Sequence, residues 1–160
     1  MNAVDVLTYG NLTFHRVLQR VPEGEWERGG ACGRWSVKDL TAHLASFEHL
    51  LVEVLCSFLE GGPTPYLDSM AALGPEAFSD LWVEQRRANP PEAVLSEYDE
   101  THAETMLWLA RIPTETLRQT ETLPWYGPEY ALDDFFVYQY YGHKREHSGQ
   151  IAVFCDQFGA

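Results

Sequence analysis

Two histidines four positions apart, His143 and His147, stand in the stretch Gly142-His143-Lys144-Arg145-Glu146-His147-Ser148-Gly149-Gln150-Ile151. On a helix both rings project from one face and can reach the same ion. A metal site needs more than two ligands. The third candidate is His43, in Trp35-Ser36-Val37-Lys38-Asp39-Leu40-Thr41-Ala42-His43-Leu44, about a hundred positions upstream, so folding has to bring it in. Three imidazoles form a neutral nitrogen set that suits zinc or nickel, with iron or copper as further choices. Such a set leaves coordination positions open for water or substrate, which separates a catalytic site from a structural one. A lone buried histidine more often satisfies a neighbouring carbonyl or carboxylate. The i, i+4 spacing puts the metal reading of His143 and His147 level with that one.

The elements that must position these residues read as helices. Val6, Leu7, Tyr9, Leu12, Phe14, Val17, Leu18 and Val21 mark an apolar side from about Val4 to Val21, ended by Pro22 and a cluster of glycines. A second helix is expected from Ser36, where Ser36-Val37-Lys38-Asp39 has the form of a capping box, to about Glu60 before Gly61-Gly62-Pro63. From Pro63 to Pro91 the pattern weakens to a long crossover, with a short helix available over 75–88. A third long helix is expected from Glu92 to Ala110 and a fourth from Ala131 to about Phe158, with Asp133 and Asp134 at its positive end. Four long helices, short links and one crossover predict an all-α, single-domain four-helix bundle over residues 1–160. In it His43 shares a stripe with Leu40, Phe47, Leu50 and Val54. His143 and His147 share one with Phe136, Tyr140, Gln150, Ile151 and Phe154, so the three rings should face inward.

Composition excludes other classes. A chain of 160 residues, 45% hydrophobic and 13% aromatic, can build a real core. The net charge of −13 opposes binding to nucleic acid, whose affinity is built from Lys and Arg on phosphates. No apolar run approaches the roughly 20 residues of a membrane span, and the N-terminus lacks the pattern of a signal peptide, so a cytoplasmic protein is expected. Cys32, Cys56 and Cys155 are an odd number without CxxC spacing, which argues against a disulfide framework or a thiolate zinc site.

Taken together, the W-S-V-x-D-x-x-x-H-L segment at Trp35 and the H-x-x-x-H-x-x-Q-I segment at His143 resemble the DinB-like (DinB/YfiT-type) family of four-helix metalloproteins. The resemblance covers nearly the whole chain in order and length. It implies an up-down-down-up bundle and a divalent metal held by one histidine of the second helix and two of the fourth. Residue by residue, these are His43, His143 and His147. The wider superfamily includes thiol-dependent enzymes, among them mycothiol-dependent maleylpyruvate isomerase and bacillithiol transferases, in which the metal activates a low-molecular-weight thiol.

The leading expectation is thus a metal-dependent, thiol-using transferase acting on a small electrophile. Trp35, Trp125 and Tyr126 are candidates for the pocket wall, although packing on helix ends would also explain them. A metal-dependent hydrolase needs the same ligands and a group that handles protons, for which Glu48, Glu53 and His102 are candidates. Acidic residues on helices are more commonly solvated face charges. The remaining alternatives are a non-catalytic small-molecule or metal-binding protein, or an interaction bundle with structural histidines, either of them able to act as a homodimer.

Overall fold

The computed structural model describes residues 2–159, which are all-helical, with no strand beyond an isolated bridge between Cys32 and Trp35. The helices are α1 (Ala3–Leu18), α2 (Val37–Ser57), α3 (Pro65–Glu84), α4 (Pro91–Leu109), a single turn α5 (Thr114–Leu117), α6 (Leu132–Phe136) and α7 (His143–Asp156). A π-helical turn, Val137–Gly142, joins α6 to α7. The chain forms two compact units, one of Met1–Val21 with Ile112–Ala160 and one of Pro22–Arg111.

In the first unit α1 lies against α7 and the π turn. Asn2 starts α1 by accepting from the amides of Val4 and Asp5, two donors that a helix leaves unsatisfied. Gly10 faces Tyr141 and Lys144, and beyond the end of α1 Arg20 pairs with Asp156. Contacts therefore advance in the same direction along both helices, and α1 and α7 run parallel.

In the second unit α2 packs between α3 and α4. The Ser36–Asp39 capping box expected from the sequence is present in both directions, at 3.1 and 3.0 Å. Ala42 packs with Val83 and Val94, His49 meets Glu97, and Glu60 pairs with Arg111. The order again advances together, so α2 and α4 are parallel neighbours. A parallel pair requires a connection that returns the full length of the helix, and α3 is that return.

The return is more ordered than the sequence predicts. The short helix expected over 75–88 is present as residues 75–84, and a further helical stretch from Pro65 precedes it, the two joined as α3 (Pro65–Glu84) across a kink at Gly74, whose φ of 77° and ψ of 169° favour glycine. Its first turn is not capped by its own Thr64. Glu53 of α2 accepts from the amides of Tyr66 and Leu67 at 3.0 and 2.8 Å. Arg86, 5% exposed, then binds Glu97 of α4 through two nitrogens, Ser46 of α2 at 3.0 Å, the Tyr66 hydroxyl at 3.2 Å and the Trp82 carbonyl at 2.8 Å. One satisfied guanidinium thus locks three helices. Lys38, also buried, plays a similar part by donating to Glu27 and to the carbonyls of Arg87 and Asn89.

Among the described residues no helix is long and apolar enough to cross a membrane. The three cysteines are free, as expected. Burial pushes the thiols of Cys56 and Cys155 up, with Glu104 and Glu60 adding to it at Cys56 and Arg20 opposing it at Cys155, which makes both poor nucleophiles.

Candidate metal centre

The C-terminal helical run begins where expected, with Asp134 accepting from the Ala131 amide at 3.0 Å. Its regularity is broken by the π turn, which the sequence does not reveal. There the His143 amide donates to the Tyr140 carbonyl, and the carbonyl of Gln139 receives the His143 ring instead. An extra residue in one turn also rotates the following helix, which sets the face on which His143 and His147 emerge.

Both histidines have one nitrogen committed. The Nδ1–H of His147 donates to the Gln150 side-chain oxygen at 2.8 Å, and His143 is tied to the Gln139 backbone. These bonds set the tautomers and leave the two Nε2 atoms facing each other at 2.8 Å, with ring centroids 4.6 Å apart. Two imidazole lone pairs at that separation repel unless a cation stands beside them. A metal ligated at about 2.0–2.1 Å from each nitrogen answers that requirement. Burial, then the neighbouring His147, holds His143 down at about 3, against the lift from its backbone bond. Burial lowers His147 as well, opposed by Gln150 and Glu146. Both rings are neutral near pH 7, the form that ligates.

In the second unit His43 is buried on α2, as its stripe with Leu40, Phe47, Leu50 and Val54 predicts. Its ring lies between Trp35 at 5.1 Å and Phe47 at 4.9 Å. Trp35 is therefore tied to a candidate ligand as well as to the helix start. Trp125, 55% exposed, and Tyr126 pack on Phe135 in the first unit. His43 thus offers a metal-type side chain in the second unit, as His143 and His147 do in the first.

The candidate proton carriers fare differently. Glu53 is engaged as the cap of α3. Glu48 is not the solvated face charge that its place on a helix predicts: it is fully buried and accepts from Thr105 at 3.0 Å beside His102 Nδ1 at 3.2 Å. His49 is half-buried, bonded to Glu97 at 2.9 Å and stacked on Tyr66. Of the residues that position the centre, Gln150 was recognisable from its place in H-x-x-x-H-x-x-Q. Gln139 was not, because its contribution is a carbonyl released by a backbone irregularity.

Against known families, residues 13–132 match the mycothiol maleylpyruvate isomerase N-terminal domain. The chain belongs to this family. The mycothiol maleylpyruvate isomerase N-terminal domain is itself of the DinB-like superfamily, so the resemblance read in the sequence holds at the superfamily level, with a different branch as the family. That branch is metal-binding and thiol-related. The matched stretch contains His43 and ends before His143 and His147, so the pair stands on its own geometry. Neither the curated proteins nor the solved structures give a match.

Proposed function

We propose that this member of the mycothiol maleylpyruvate isomerase N-terminal domain family holds one divalent ion, zinc or nickel, through His43, His143 and His147, and uses a low-molecular-weight thiol to attack a small electrophile. The observation that carries the reading is the pair of opposed Nε2 atoms, each fixed by a bond at the ring's other nitrogen. A divalent ion would supply the positive charge that lets a thiol lose its proton near neutral pH. The chain's part is to hold the three rings oriented and to keep the His143 and His147 rings neutral. The aromatic rings beside His43 keep water scarce and offer an apolar wall to an electrophile.

Transfer fits better than hydrolysis because the residues available to handle a water proton are otherwise engaged: Glu53 with α3 amides, Glu48 with His102 and Thr105. The test begins with metal content by mass spectrometry of the native protein and of His147→Ala. About one ion per chain, lost in the variant, is expected. Loaded protein is then given mycothiol and a chlorinated nitroarene, and thiol consumption is followed. A native protein that binds no zinc or nickel ends the metal reading. A loaded protein that consumes no thiol ends the transferase reading alone.

A further inference from the structure

A groove of about 360 Å³ runs between α1 and α7, lined by Thr13, Arg16, Arg20, Arg145, Ser148 and Gly149 among others. At 100° per residue, Arg145, Ser148 and Gly149 lie on the opposite side of α7 from His143 and His147, so this groove is distinct from the candidate metal centre. We propose that it is a binding site for a phosphate-bearing small molecule.

The argument rests on how the chain distributes its positive charge. With 11 basic against 24 acidic residues, most arginines meet a carboxylate. Arg28 pairs with Glu25, Arg34 with Asp80, Arg86 with Glu97, Arg87 with Glu84 and Arg111 with Glu60. Among the described residues Arg16, Arg145 and Arg118 have no carboxylate partner, and the first two share this groove. Arg145 is held in place without being neutralised: its guanidinium lies over the Tyr141 ring at 5.5 Å and donates to the Tyr141 hydroxyl at 3.1 Å. Arg20 stands on the same wall with its charge offset by Asp156.

Three guanidiniums against one carboxylate leave two positive charges over the groove, the complement of a phosphate dianion. The hydroxyls do not compete for the donor role, since Thr13 already donates to the Tyr9 carbonyl and Ser148 to that of Lys144. Planar, fixed guanidinium forks bind phosphate through paired hydrogen bonds, which a diffuse cloud of lysines would not do. The floor beneath them is low, with Gly149 carrying no side chain and Ala152 only a methyl.

The test titrates inorganic phosphate into the full-length protein at constant ionic strength, following the arginine Nε–H resonances by NMR. Native protein should show saturable shifts at Arg16 and Arg145. Arg16→Gln and Arg145→Gln should each weaken binding about tenfold, while Arg118→Gln, an exposed arginine of the same unit, leaves it unchanged. Thermal midpoints of all three variants report whether they fold, and zinc content should be unaffected throughout. Sulfate and a phosphomonoester such as glycerol phosphate distinguish bare anion binding from recognition of a phosphorylated molecule, which should bind at least as tightly. Shifts that never saturate, or equal weakening by Arg118→Gln, would reduce the groove to general charge screening and overturn the proposal.

Discussion

At the scale of single residues, the centre depends on groups that do not themselves ligate. Gln150 accepts from His147 Nδ1 and so directs the lone pair of Nε2. Gln150→Ala is expected to lower zinc affinity about 10- to 100-fold with helical content unchanged, measured by competition with a chromogenic chelator. An unchanged affinity would show that the tautomer is set by something else. His43 and the pair at 143 and 147 stand out in the sequence as candidates because imidazoles interrupt otherwise apolar helical stripes. The burial of Glu48 could not, since its partners His102 and Thr105 lie more than fifty positions away on α4 and no local spacing announces them.

Glu97 is a second residue whose role is tertiary. Burial alone would raise its carboxyl, but hydrogen bonds from His49 and Arg86, together with the charges of both, bring it down to about 2. A carboxyl with a folded pKa below its ordinary 4.5 stabilises the fold fully above 4.5, and that contribution is lost as pH falls from there toward 2. Glu97→Gln should therefore be less stable than native protein at pH 7, with the gap in urea midpoint closing as the pH is taken down through this window. A gap that stays constant with pH would mean the stabilisation is not ionic.

At the scale of elements, the four long helices were legible from period and capping, because those signals are local. What escaped is what one helix does for another. Pro65 and Gly74-Pro75 read as breakers, yet proline is tolerated at the first helical position and the kink at Gly74 needs only a residue that accepts a positive φ. The start of α3 is then completed by Glu53, a cap supplied from twelve or more positions upstream. Glu53→Ala should cost about 1 kcal/mol of stability, and hydrogen exchange at the Tyr66 and Leu67 amides should accelerate. Gly74→Ala should cost about 1–3 kcal/mol for the strained backbone alone. If exchange in α3 is the same in Glu53→Ala as in native protein, the cap is water-replaceable. The π turn left no trace in the sequence either, since Val137-Tyr138-Gln139-Tyr140-Tyr141-Gly142 carries no residue that demands it.

At the scale of the whole molecule, the two parallel pairs, α1 with α7 and α2 with α4, supply the same-direction neighbours that an up-down-down-up bundle contains. Each lies within its own compact unit. A ligand that binds only the folded state stabilises it in proportion to the logarithm of its concentration over its Kd. Removing metal with a chelator should thus lower the thermal midpoint of native protein, and returning zinc should restore it. The same treatment of the triple alanine variant at His43, His143 and His147 should do nothing. A midpoint indifferent to chelation in metal-loaded native protein would contradict a single ion shared by the three.

The pairing of α1 with α7 also dictates an order of events during synthesis. The unit Pro22–Arg111 is contiguous and has its full sequence once the ribosome has passed Arg111, whereas α1 is made before that unit and waits for α7, which is made after it. His43 is made well before the opposed imidazoles of α7. Metallation by the proposed set therefore has to wait for α7: a chain stalled before Gly142 offers one imidazole of the proposed three.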